Sequence, residues 1–152
     1  MNEQLSDFIS DKNIVMNLHA RTRDEAIKDL SFILQKNGSV SDSDDFYKDV
    51  LKRESMTTTG IGKNIAIPHG QSKSVISSTM LFARNDQKLE WNSLDGSKVD
   101  IIFLMAIPPD DQGDEHLRML AKLSGKLMDD AFVDSIKKAS SSEQILKILR
   151  QQ

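Results

Sequence analysis

Three histidines, at positions 19, 69 and 116, are the side chains of this 152-residue chain whose ordinary pKa lies near neutrality. There is no cysteine, which removes thiolate chemistry, disulfides and cysteine-based zinc sites. His69 has the most unusual setting. It closes the apolar run Ile65, Ala66, Ile67, sits behind Pro68, which restricts the backbone, and precedes Gly70, which leaves one face uncrowded. A neutral imidazole there is a competent nucleophile; the plainer reading is a structural histidine capping a strand end. Upstream, "TTTGIG" (57–62) offers hydroxyls, glycines and backbone N–H groups of the kind that cradle an anion, or it is a polar turn between a helix and a strand. It lacks the lysine and the spacing of a P-loop. Arg53 stands just before it, at the expected end of a helix. A guanidinium there either reaches a phosphate held by the loop or simply complements the helix dipole. His116 falls in the first turn of the helix that follows "PPDDQGDEH". The positive end of that helix opposes imidazolium formation, while Asp111, Asp114 and Glu115 favour it. His19 reads as a surface residue.

The elements that must position these groups are legible as periodicities. "NIVMNL" (13–18) reads as a strand. Thr22 with Glu25 makes a capping box before a helix that puts Ala26, Leu30, Ile33 and Leu34 on one face and stops at Gly38. A second helix is expected from about Ser43 to Glu54, with Phe46, Val50 and Leu51 inward. "NIAIP" is too short for a helix and reads as a strand ended by Pro68. "STMLFAR" (78–84) and "KVDIIFLMAIP" (98–108) are the clearest strands. The second is nearly all apolar, as a central strand covered on both faces would be. "LDGS" (94–97) signals a turn between them. From Glu115 helical spacing returns, with Leu117, Leu120, Leu123 and Leu127 recurring. Two shorter helices follow, near 130–139 and from Ser142, which is expected to cap the last. Helices on both faces of a mixed sheet is the simplest packing, an α/β (α+β) fold.

Composition narrows the function classes. The chain is 38% hydrophobic and 28% charged, as ordinary globular domains are, and its length suits one domain spanning 1–152. A net charge of -3 argues against nucleic acid as a partner. The N-terminus has no signal-peptide pattern, and no apolar run approaches the ~20 residues of a membrane span, so the expectation is a cytoplasmic domain without membrane insertion.

Taken together, the motifs resemble a known family. "REsmttTGIGknIAIPHG" is similar to the signature of the enzyme IIA domain of the bacterial phosphoenolpyruvate-dependent sugar phosphotransferase system, fructose/mannitol type, which includes nitrogen-regulatory relatives. Glu54, Ile61, Gly62, Ile65, Ala66, Ile67, Pro68, His69 and Gly70 meet its terms. "HLRMLAKLSGKLMD" (116–129) resembles the family's second block, and "LDGSKVDIIFLMAIP" the strand before it. Gln71 departs, since a lysine is common after "PHG". The resemblance implies a three-layer α/β/α sandwich. It implies that His69 accepts a phosphoryl group from HPr or an HPr-like carrier and passes it to a IIB domain, usually onto a cysteine, with no metal or cofactor. It assigns His116 as the second histidine beside the first, Arg53 as the arginine before the loop, and Thr59 as the threonine heading the glycine turn, a further donor to the phosphoryl oxygens. The nitrogen-type members keep the histidine and act by binding proteins according to phosphorylation state. A two-histidine metal hydrolase and a binding module that has lost the chemistry are the other readings. Ile61, Ile67 and Val75 are candidate docking residues, and Trp91 is expected to pack near a strand turn.

Overall fold

The computed structural model describes residues 4–111 and 114–150. After two 3-10 turns the strand β1 (Ile14–Leu18) leads into the helices α1 (Arg23–Lys36) and α2 (Ser43–Met56). Then come the short strands β2 (Gly60–Gly62), β3 (Ile65–Ala66) and β4 (His69–Gln71), and the long strands β5 (Thr79–Leu89) and β6 (Val99–Ile107). The helices α3 (Glu115–Leu127), α4 (Asp130–Lys138) and α5 (Ser142–Arg150) end the described chain.

The sheet order is β1-β5-β6-β3-β2, with β4 also beside β6. β6 pairs antiparallel with β5 on one side and parallel with β3 and β4 on the other, which is why its sequence is apolar at almost every position. Alternation divides its side chains. Ile101, Phe103, Met105 and Ile107 join one buried cluster with Met119, Leu123, Phe132, Ile136 and Ile145 of α3, α4 and α5. Ile102, Leu104 and Ala106 join a second cluster with Ile27, Leu30, Phe46 and Val50 of α1 and α2. One sheet with a helical layer on each face is the expected three-layer sandwich. Each fully buried large side chain contributes about 1.5–3 kcal/mol relative to exposure, so both layers are held mainly by this apolar burial.

Local chemistry sets the ends. The Thr22 hydroxyl accepts the Glu25 N–H at 3.1 Å, and Gly38 adopts φ +88° to stop α1. Asp42 caps α2, which runs to Met56, two residues beyond the expected end. The cap of α5 is Ser141 and not Ser142: the Ser141 hydroxyl accepts the Gln144 N–H at 3.2 Å. On α3 the buried stripe is Met119, Leu123 and Leu127, spaced by four. Leu117, expected inward, lies two residues from Met119, which is more than half a turn away in angle, and is exposed.

The region around His69 differs most from expectation. The strand read over "NIAIP" is only two residues long. Pro68 has no N–H to offer, but its carbonyl accepts the Met105 N–H at 3.0 Å, so the ladder along β6 resumes at His69, paired with Met105. His69 therefore opens a strand instead of leading into a loop. Gly60 and Gly62 likewise belong to β2, joined to β3 by a two-residue turn in which Lys63 and Asn64 take φ of 58° and 68°.

Candidate functional site

β4 sets His69 at the mouth of an open cavity of about 330 Å³, which Arg53 enters from the last turns of α2 and His116 from the first turn of α3. The two imidazole centroids are 4.9 Å apart and their planes tilt by 48°. Asp49, Lys52, Met56, Gln71 and Ile107 complete the lining. A larger cavity, about 460 Å³ between α3, α4 and α5, is bordered by Lys126 and Phe132 and contains no histidine.

His69 is half-buried, and its Nδ1 lies 3.1 Å from the Ile67 carbonyl oxygen. A carbonyl only accepts, so Nδ1 carries the ring hydrogen and Nε2 holds the lone pair. Burial pushes the His69 pKa below its ordinary value; the Ile67 carbonyl opposes this, and the neighbouring His116 and Arg53 add to it. His116 is also lowered: burial outweighs the Asp111 carboxylate, and Arg53 contributes in the same direction as burial. Burial, an influence the sequence did not show, thus decides at His116 in favour of the neutral ring. Its Nε2 is buried and has no hydrogen-bond partner among the described residues. Asp111 accepts the backbone N–H groups of Glu115 and His116 at 3.0 and 3.2 Å, and so fixes the start of α3. Asp114, the residue at the cap position, has φ +55° and makes no such bond.

Arg53 Nη1 donates to the Thr57 carbonyl at 3.0 Å, and the guanidinium borders the cavity. Gln71 Nε2 donates to the Pro108 and Pro109 carbonyls at 3.3 and 3.1 Å, joining β4 to the segment that leads to α3. Two neutral imidazoles and a guanidinium around one open space make a site for an anion that can be bonded to a ring nitrogen. No three of His, Asp and Glu are grouped to hold a metal ion among the described residues.

Residues 7–152 match the model of the family described as phosphoenolpyruvate-dependent sugar phosphotransferase system, EIIA 2. The chain belongs to this family. An EIIA domain is the phosphoryl-transfer component of that system. The chain is 32% identical to the 2-O-alpha-mannosyl-D-glycerate-specific EIIABC component of Escherichia coli over 90% of its own length, but spans only 21% of that relative. It is 30% identical to the fructose-like EIIA component of the same organism, covering 91% of this chain and 92% of the relative. The crystal structure of the nitrogen regulatory protein IIA-Ntr from Neisseria meningitidis superposes with a TM-score of 0.87 at 27% identity, over 95% of this chain and 98% of that one.

Of the four site residues expected of an EIIA domain, the fold brings three together and keeps one apart. Thr59 is buried, and its hydroxyl proton goes to Glu54 Oε1 at 2.6 Å, while its oxygen accepts from Trp91 Nε1 at 3.2 Å. A hydroxyl has one proton, so Thr59 has none to give a phosphoryl oxygen, and the expected donor role is corrected to a structural one. Of the two readings open for "TTTGIG", the polar turn fits its bonds better, since donors that a cradle would need are turned inward. The Thr59 N–H donates to Glu54 Oε2, the Gly60 N–H to the Thr58 hydroxyl, and the Lys63 N–H to Asp95. Trp91 packs as expected, 1% exposed. His19 lies at the surface, 2.7 Å from Asp86.

Among the candidate docking residues, Val75 is buried, bridged to Val40, and offers no free face, while Ile67 is half-buried with one side packed against the core. Ile61 is exposed. Sequence reasoning missed Met56, which is 68% exposed and borders the cavity. Its signal was an apolar residue at a helix end with only polar neighbours.

Proposed function

We propose that this EIIA domain accepts a phosphoryl group on His69 Nε2 from the phosphohistidine of HPr or an HPr-like carrier and passes it to a IIB domain, serving sugar uptake from the cytoplasmic side. The observation that carries the reading is the Nδ1–H of His69 held on the Ile67 carbonyl. It leaves Nε2 as the unprotonated nitrogen on a ring that burial keeps neutral.

In the reaction an N–P bond forms at His69 Nε2 as the donor's N–P bond breaks, and the donor imidazole takes back the electron pair. The transition state is loose and spreads charge over three equatorial oxygens, so positioning and electrostatics supply most of the effect. Arg53 supplies the full positive charge, and its fork holds the Thr57 carbonyl with one arm. His116, neutral and with an unpartnered buried Nε2, supplies an N–H from the adjacent ring. Both bonds are nitrogen–phosphorus bonds, so the step runs in either direction. The phosphorylated ring gains about -1.5 to -2 of charge, which the guanidinium offsets. The A, B and C parts joined in the name of the E. coli EIIABC relative support a IIB part as the acceptor.

A second reading has its own support. The likeness to the Neisseria nitrogen regulatory protein supports, as strongly as the sugar-specific relatives support uptake, a regulatory role; in that reading phosphorylation of His69 would control binding to a protein partner. Mass spectrometry after mixing with phosphorylated HPr tests the shared chemistry. Wild type is expected to gain one phosphoryl group and His69→Ala none, with His116→Ala slowed but folded. An undiminished mass shift in His69→Ala would overturn the assignment. Transfer onward to a IIB cysteine separates uptake from regulation.

A further inference from the structure

We infer that Glu54 is a positioning residue for the phosphoryl-transfer step, setting the guanidinium of Arg53 and the imidazole of His69 through one buried knot. This rests on the phosphocarrier reading above.

The placement of Glu54 is costly on elementary grounds. It is 4% exposed, in the last turn of α2, where the helix dipole disfavours a negative charge and burial disfavours any charge. Its side-chain bonds among the described residues come from a single residue. Thr59 gives its N–H to Oε2 at 2.7 Å and its hydroxyl to Oε1 at 2.6 Å. Both carboxylate oxygens are thus occupied by donors five residues on, which pins the chain as it reverses out of α2.

Two routes leave this knot. In one direction the pinned segment presents the Thr57 carbonyl, to which Arg53 Nη1 donates at 3.0 Å. In the other, the Thr59 carbonyl accepts the Ile67 N–H at 3.0 Å, and the Ile67 carbonyl accepts from His69 Nδ1 at 3.1 Å. Glu54 therefore stands at the branch between the group that receives the phosphoryl and the group that neutralises it. Trp91 seals the knot from behind: its Nε1 donates to the Thr59 hydroxyl, and its carbonyl accepts from the Thr58 hydroxyl at 3.0 Å. The N–H and the O–H each have their own acceptor oxygen here, which a carboxylate supplies. Glutamine offers one acceptor oxygen and alanine none. The order of function is then Glu, Gln, Ala.

The experiment measures phosphoryl acceptance from phosphorylated HPr by wild type, Glu54→Gln and Glu54→Ala, with the imidazole resonances of His69 recorded by NMR in the unphosphorylated proteins. Glu54 does not border the cavity, so the maximal rate should fall with KM for the carrier within about threefold. Misplacement of order 1 Å is worth about a hundredfold in rate, and a loss of about tenfold to a hundredfold is expected for Glu54→Ala. Glu54→Gln should recover part of it. The Nδ1–H signal of His69 should move in Glu54→Ala. A folded Glu54→Ala with a maximal rate within about twofold of wild type and an unmoved His69 signal would overturn the inference. If Glu54→Ala does not fold, Thr59→Val, which keeps the N–H donor and removes the hydroxyl, carries the test with a smaller loss of the same kind; an unchanged rate and signal there would overturn it equally. Failure of wild type to accept phosphate would sink the carrier reading, while the ring signal would still decide the knot.

Discussion

Gly70→Ala joins stability to chemistry in a single methyl group. A Cβ at position 70 would lie 2.7 Å from Val50 Cγ2 and 3.3 Å from both Phe46 Cε1 and the Val50 backbone nitrogen. Comfortable carbon–carbon separation is about 3.5–4.0 Å, so the closest pair is short by roughly 1 Å. Val50 relieves little of this by turning, because a β-branched side chain in a helix has one strongly preferred rotamer. The remaining relief is for α2 to move away from β4. Overpacking of this kind costs about 1–3 kcal/mol, and for a domain of this size each kcal/mol lowers Tm by about 2–4 °C. Arg53 lies one helical turn beyond Val50, and His69 is next to Gly70 on β4. Displacing α2 therefore widens the gap between guanidinium and imidazole, and the rate of phosphoryl acceptance should fall about tenfold or more. Val50→Ala supplies the control. It removes the atom met at 2.7 Å, so in the double variant the methyl added at position 70 fills space that Val50 vacated, with a coupling of about 0.5–3 kcal/mol. Thermal unfolding of the four proteins and single-turnover transfer measure both effects. A Tm for Gly70→Ala within about 1 °C of wild type, or strict additivity in the double variant, would refute the packing argument.

The remaining predictions concern charge and protonation. His69 and His116 both have folded pKa values below the unfolded value near ~6.5, so the unfolded chain binds more protons below that pH. Their contribution to stability is complete above the unfolded pKa and is lost as pH falls through it towards the folded values; chemical denaturation from pH 8 to 5 should show the decline, and the double variant His69→Ala with His116→Ala should flatten it. Phosphoryl acceptance should stay level from pH 8 down to about 6.5 and fall only below, because the neutral ring persists; a rate halved already at pH 7 would contradict this. Arg53→Lys keeps the charge but not the fork, so one ammonium cannot hold the Thr57 carbonyl and address the phosphoryl group together; transfer assays should show a loss of about tenfold to a hundredfold with Tm nearly unchanged.

Much of the architecture follows from patterns that need only neighbouring residues. The Thr22 and Gly38 boundaries of α1 are local chemistry, and each could be read directly. The helix periodicity of 115–127 was legible as an element but not as a face: four leucines recur there, yet burial selects Met119 over Leu117, since the stripe facing the sheet depends on how α3 is turned. Ser141 replaced Ser142 as the cap because adjacent serines offer the same hydroxyl and only the backbone path tells them apart. The Thr59 misreading has the same origin. A threonine in a glycine-rich stretch looks like an open donor until its partner, Glu54, is seen to be buried beside it.

The amino-acid order alone settled which groups are present for chemistry: two imidazoles in recognisable motifs, a guanidinium before the loop, no thiol, and a central strand apolar on both faces. These depend on residue type, spacing and the fixed two-residue period of a strand. Only the folded chain decided which ring nitrogen of His69 is free, that burial overrules Asp111 at His116, and that the Thr59 hydroxyl and N–H are spent on Glu54 and the Gly60 N–H on Thr58. A hydrogen bond or a desolvation is a property of where two groups meet and of how much water is left between them. Packing across the sheet sets both.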